Sequence, residues 1–158
     1  MDFSPKRKHN RLTGYDYSSN GIYHIVICSN SHRKIFSTIE QPDSGKPVVF
    51  LTSIGETIEH SVNSIDSHYD LIKVLKYVIM PNHIHLLLQI ENDDGRQVVA
   101  PTISTVIMQL KRVSSKTAGM SLWQKGFYDH IIKNEKDFEN VCVYIEENPA
   151  KWENDEYY

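Results

Sequence analysis

With 158 residues, 40% of them hydrophobic, and a net charge of −3, the chain is long enough for one domain with a real core and too short for two of ordinary size. Its longest apolar stretch falls far short of the roughly 20 residues of a bilayer span, which excludes a membrane partner and predicts a cytoplasmic protein. Cys28 and Cys142 lack CxxC spacing and are too few for a disulfide framework, so they read as small core residues.

Charge is unevenly placed, and its distribution says more than its sum. Residues 1–12 carry Lys6, Arg7, Lys8 and Arg11 against Asp2. Residues 111–133 carry Lys111, Arg112, Lys116, Lys125 and Lys133 against Asp129, whereas the last 24 residues hold eight acids against Lys136 and Lys151. This predicts a basic N-terminal arm over 1–20, a single domain over 21–150 and an acidic tail over 151–158.

In chain order, residues 22–29 are β-branched and aromatic enough for a central strand. A loop containing Gly45 and Pro47 leads to Ser53-Ile54-Gly55-Glu56, which resembles a capping box, and Ile54, Ile58, Val62 and Ile65 recur at helical spacing. Residues 71–80 and 84–91 read as two strands joined at Pro81-Asn82, residues suited to a tight turn. From Thr102, the set Ile103, Val106, Ile107, Leu110 and Val113 marks a second helix that Gly119 ends. A fourth strand fits 126–133, and Asn134 caps a last helix whose first turn holds Glu135 and Asp137. Pro149 limits that helix to residue 147 or 148 and is expected to draw Asn148 toward extended backbone. The order β-α-β-β-α-β plus one helix predicts an α+β fold, a ferredoxin-like or RRM-like antiparallel sheet with an added C-terminal helix.

Within the hairpin, Met80-Pro81-Asn82-His83-Ile84-His85 places two imidazoles in an apolar run. Strand positions two apart share a face, so His83 and His85 point together while Ile84 turns away. Such a pair suits a metal ion and calls for a third protein ligand elsewhere. On the last helix, Phe138, Val141, Cys142 and Ile145 form one apolar face, and Tyr144 falls roughly 110° from its centre. Asn148 follows four residues on, roughly 40° around and about 6 Å along, so a phenol and an amide oxygen can share a site.

That set supports nucleophilic attack at phosphorus. A tyrosine hydroxyl, with a reference pKa of about 10, is a weak nucleophile that a metal on a phosphate oxygen assists. The resulting phosphodiester keeps the bond's energy, which suits strand transfer better than hydrolysis. Tyr128 is the rival tyrosine, expected to pack in a strand beside Phe127. His60, His68 and His130 have no partner at motif spacing and read as ordinary surface or core histidines.

Four ordered motifs carry a resemblance: Tyr15-Asp16-Tyr17, Met80-Pro81-Asn82-His83-Ile84-His85, Trp123-Gln124-Lys125-Gly126-Phe127-Tyr128-Asp129-His130 and Tyr144-Ile145-Glu146-Glu147-Asn148-Pro149. Over residues 7 to 150 the chain resembles the single-tyrosine transposases of the IS200/IS605 type, nearest to their REP-associated branch. The resemblance implies that His83 and His85 are the His-hydrophobic-His metal pair of an HUH endonuclease, Tyr144 the nucleophile and Asn148 the third ligand. It also implies Mg2+ or Mn2+ as cofactor and, as substrate, single-stranded DNA with hairpin ends, cut to leave a 5′-phosphotyrosine and a free 3′-hydroxyl. Either a monomer or a homodimer fits the family.

DNA is expected to lie over the basic arm (Lys6, Arg7, Lys8, Arg11) and over Lys111, Arg112, Lys125 and Lys133, away from the acidic tail. Zinc is the lesser metal candidate, since no Cys, Asp or Glu sits at ligand spacing near the histidine pair. Two other functions compete: a domesticated DNA-binding protein of the same fold, and a metal-dependent nucleotide phosphoesterase. Histidine-triad hydrolases need a further His where Leu87 stands, and rolling-circle initiators often place Lys where Glu147 stands.

Overall fold

The computed structural model describes residues 20–91 and 101–158. Lys6, Arg7, Lys8, Arg11 and the Tyr15-Asp16-Tyr17 motif therefore lie outside the described residues, as does the expected arm except for Asn20. The elements in chain order are β1 (Gly21–Cys28), β2 (Ser37–Glu40), β3 (Val48–Leu51), α1 (Ser53–Asn63), α2 (Ile65–His68), β4 (Ile72–Ile79), β5 (His83–Ile90), α3 (Ile103–Ala118), β6 (Tyr128–Ile131) and α4 (Glu135–Glu147). A 3-10 helix, Pro149–Asn154, follows.

Four strands form one antiparallel sheet in the order β4-β5-β1-β6. This is the α+β arrangement that the β-α-β-β-α-β order predicts, with β1 and β5 in the centre. Strand alternation assigns each central strand two unlike faces. Tyr23, Ile25 and Ile27 of β1 and Ile84, Leu86 and Leu88 of β5 pack with Ile58 and Val62 of α1 and Ile103, Val106, Ile107 and Leu110 of α3 in the main core. On the opposite face, Leu87 meets Val141 and Ile145 of α4 in a much smaller apolar cluster, bordered by Ile22, Val78 and Phe138. The rest of that face is free to carry chemistry.

Several local expectations are refined. The stretch read as a loop before the first helix contains the hairpin β2–β3, whose strands are four residues each. Thr52, one residue before the expected box, is the cap of α1: its Oγ1 accepts the Gly55 N–H at 3.1 Å and donates to the carbonyls of Ile35 and Phe36. Gly55 is required there, because a Cβ would stand 2.0 Å from the Phe36 carbonyl oxygen. Ile65 belongs to the short helix α2. As expected, Asn134 caps α4 and Gly119 ends α3, in the left-handed conformation at φ 69°; Thr102 caps the start of α3.

The Pro81-Asn82 turn is held from outside as well as closed from within. Met80 N–H donates to the His83 carbonyl at 2.9 Å, while the carbonyls of Pro81 and Asn82 accept from the N–H groups of Phe36 (2.9 Å) and Ser29 (2.8 Å). β5 consequently starts at His83 itself, so both histidines sit in a central strand with no exposed surface.

Two expectations about the C-terminal end change. Asn148 keeps helical angles (φ −55°, ψ −43°), because Pro149 opens the 3-10 helix at a position whose missing N–H costs nothing. The residues read as an acidic tail do not trail away. They turn back onto the α4 side of the sheet, where the Tyr157 ring lies 4.6 Å from that of His83 and the Tyr157 carbonyl accepts from Asn82 Nδ2.

Candidate active site

His83 and His85 face the same side of β5, with Nε2 atoms 3.0 Å apart. Asn82 sets the tautomer of the first ring. Its Nδ2 donates to the Tyr157 carbonyl, so its Oδ1 must accept from His83 Nδ1, 2.8 Å away. That leaves His83 Nε2 as a bare lone pair. His85 Nδ1 stands 3.0 Å from Nε2 of His24, which reaches it from β1, with the two rings stacked at 5.2 Å. When His85 Nδ1 carries the hydrogen and donates it to His24, both facing Nε2 atoms are acceptors, the arrangement that a cation satisfies.

Burial keeps this cluster uncharged. It is the main cause that holds His24 at about 4, seconded by the charge of nearby His130, and His83 at about 3, against the nearby Asn148 side chain, which pulls upward. His85 is also held well below the usual range, by burial first and then by the charges of His83 and His24. Neutral imidazoles at neutral pH are the form that binds metal.

α4 brings the remaining groups. Asn148 is buried, and its Oδ1 has no hydrogen-bond partner among the described residues. Its side chain also touches both His83 and Tyr144, as the proton affinities of those two groups register. The Tyr144 ring stands edge-on to His85 at 5.4 Å and to His24 at 6.0 Å, and 41% of the residue is exposed. Burial, and then the Asp155 carboxylate, raise its phenol above the ordinary tyrosine range, so the free protein keeps it protonated.

Three participants are not singled out by the sequence, although Asn82 stands inside the histidine motif. His24 lies in an apolar strand, and only the pairing Val26↔His85 shows that it shares a face with the histidine pair. Asn82 looks like a plain turn residue. Asp155 comes from the C-terminal segment: its Oδ2 lies 3.7 Å from His83 Nε2, and its side chain is nearly as buried as the histidine. Among the described residues, His83, His85 and Asp155 form a group whose ligand atoms lie within 4.8 Å of one another. An acid does therefore stand beside the pair, although none sits near it in sequence.

His130 also gains a role: its Nε2 contacts both Asp137 oxygens, at 2.9 and 3.0 Å, and it pairs across strands with His24. Tyr128 is 45% exposed, and its ring lies 6.3 Å from that of Tyr157. The basic residues proposed for DNA are scattered. Lys111 spends its ammonium on the carbonyls of Gln124 and Gly126, and Arg112 bonds Gln109 from α3, across the sheet from the histidines. Lys125 and Lys133 are exposed.

Comparison with known proteins decides the family. The family model described as Transposase IS200 like matches residues 17–148. This chain belongs to the IS200-like transposase family. Its relatives include a Haemophilus influenzae protein of uncharacterized function, 27% identical over 96% of this chain and 93% of its own length. A second Haemophilus influenzae protein, provisionally named a REP-associated tyrosine transposase, is 28% identical over 86% of this chain and 74% of its own. The REP-associated tyrosine transposase of Escherichia coli is 25% identical over 64% of this chain and 58% of its own. In fold, the transposase is similar to a REP-associated tyrosine transposase bound to a REP hairpin, with a TM-score of 0.66 and 19% identity over 90% of this chain and 74% of that one. No described helix of this transposase is long and apolar enough to cross a membrane.

Proposed function

We propose that this transposase nicks and rejoins single-stranded DNA with hairpin ends through a covalent bond between Tyr144 and a 5′ phosphate, using Mg2+ or Mn2+ held by His83, His85 and Asn148. The observation that carries the reading is the convergence of bare acceptors. Two neutral imidazoles meet at 3.0 Å, and the buried Asn148 Oδ1 beside them has no donor among the described residues. An orphaned buried oxygen is costly, and a cation is the partner that satisfies it together with both rings.

When bound, the ion polarises the scissile phosphate and offsets its developing charge. The protein's own residues do the rest. Asn82 and His24 hold the two rings by their Nδ1 atoms, which aims both Nε2 atoms at one point. Tyr144 Oη attacks phosphorus as the bond to the 3′ oxygen breaks; the phenol proton is released to solvent and the departing 3′ oxygen takes one up. The phosphotyrosine conserves the bond's energy, so a 3′-hydroxyl can later attack the same phosphorus and release Tyr144. The relative bound to a REP hairpin supports the choice of DNA. Light scattering distinguishes a monomer from a homodimer.

Incubating the protein with hairpin-bearing single-stranded DNA and Mn2+ is expected to yield a denaturation-resistant protein–DNA adduct that retains label placed on the 3′ side of the cut. Tyr144→Phe should abolish it. An adduct that persists in that variant overturns the assignment of the nucleophile.

A further inference from the structure

We infer that Asp155 is a direct ligand of the metal in the DNA-free protein, so that the C-terminal segment supplies part of the coordination sphere. The inference rests on the metal site proposed above and adds a residue from outside the matched stretch, which ends at residue 148.

The geometry is that of a built site. Asp155 Oδ1 accepts the Tyr157 N–H at 2.8 Å, which fixes the carboxylate and turns Oδ2 toward His83 Nε2, 3.7 Å away. The two side chains are 3% and 0% exposed. A carboxylate so withdrawn from water needs a counter-charge. Among the described residues no lysine or arginine pairs with it. Carboxylate, two imidazole lone pairs and the Asn148 oxygen thus converge. Adjacent ligands of one octahedral ion stand about 3 Å apart, close to the 3.0 and 3.7 Å separations seen here.

The segment is seated accurately enough to hold a ligand in place. Asn82 Nδ2 donates to the Tyr157 carbonyl, the Tyr157 ring packs on His83, and Trp152 lies 6.0 Å from the same imidazole. Lys34 adds a clamp at the rim, with Nζ 3.8 Å from the Tyr158 ring centre. The same asparagine therefore orients a histidine and anchors the segment that carries the acid.

Mn2+ titration of the full chain, followed by the spin resonance of free Mn2+, tests the inference. Asp155→Asn, which keeps an oxygen for the Tyr157 N–H, should weaken binding about tenfold, while Glu156→Gln, the neighbouring exposed acid, should leave it within twofold. Asp155→Ala should raise the water-proton relaxivity of the bound ion, because one more water enters the vacated position. If Asp155→Asn binds Mn2+ within twofold of the parent and Asp155→Ala gains no relaxivity, Asp155 is not a ligand. Equal weakening by Glu156→Gln overturns the inference too, since it points to long-range charge. His83→Ala separates the two readings: it should remove binding whether or not Asp155 is a ligand, and unchanged binding there overturns the metal site itself.

Discussion

The two faces of the central sheet are built from alternate residues of the same strands, yet they obey opposite rules. On the α1 and α3 face, Ile84, Leu86 and Leu88 are fully buried among aliphatic and aromatic side chains. On the α4 face, His83 and His85 are equally buried but meet nitrogen and oxygen atoms. Apolar burial on the first face stabilises the fold. The second face accepts the cost of burying polar groups, and it recovers stability only as those groups find partners.

The largest effect that sharpens this contrast is expected from Leu86→Ala. Removing a fully buried side chain from the main core should cost about 2–5 kcal/mol in a denaturant titration, while the protein that remains folded binds Mn2+ normally. A loss of metal affinity in the folded fraction would show that the two faces are not independent.

Next in size is a pH dependence confined to the α4 face. His24 titrates at about 4 and His83 at about 3 in the folded protein, against 6.5 for a free histidine. The unfolded chain therefore binds protons that the folded one refuses. The stability from keeping these rings neutral is complete above pH 6.5 and is lost as the pH falls toward 4 and then 3. From His24 alone the loss between pH 7 and 5 should be about 2 kcal/mol. Unfolding in EDTA across that range measures it, and a flat profile would mean that the histidines are less buried than the structure shows.

The smallest effect isolates one contact. His24→Phe keeps volume in the strand but removes the partner of His85 Nδ1, and Mn2+ affinity should fall about tenfold, as for other groups that orient a metal-bound histidine. Isothermal titration beside a thermal melt separates this loss from destabilisation. Affinity equal to the parent would reduce His24 to packing.

Composition and periodicity made most of the fold legible. Runs of β-branched, aromatic and apolar residues placed β1, β4 and β5, helical spacing placed α1 and α3, and Asn134 marked the start of α4. The hairpin β2–β3 escaped because strands of four residues with exposed alternate positions carry too little pattern. Within the site, local rules aligned His83 with His85 and put Tyr144 and Asn148 on one rim of α4. His24, Asn82 and Asp155 were silent because each acts through a contact set by register or by chain reversal.

The sequence by itself determined the strand pair that aims two imidazoles one way, the helix rim that carries a phenol and an amide, and the likeness to a transposase family. The strand pair and the helix rim follow from backbone periods of two and 3.6 residues, which act over short distances along the chain, and the likeness rests on four ordered motifs. Only the tertiary structure decided that His24 meets His85 across β1 and β5, that Asn148 stays helical despite Pro149, and that the acidic end folds over the histidines. The first and last of those outcomes depend on packing between segments far apart in sequence, 61 residues for His24 and His85 and 75 for Asn82 and Tyr157, and no local preference encodes a separation of that length.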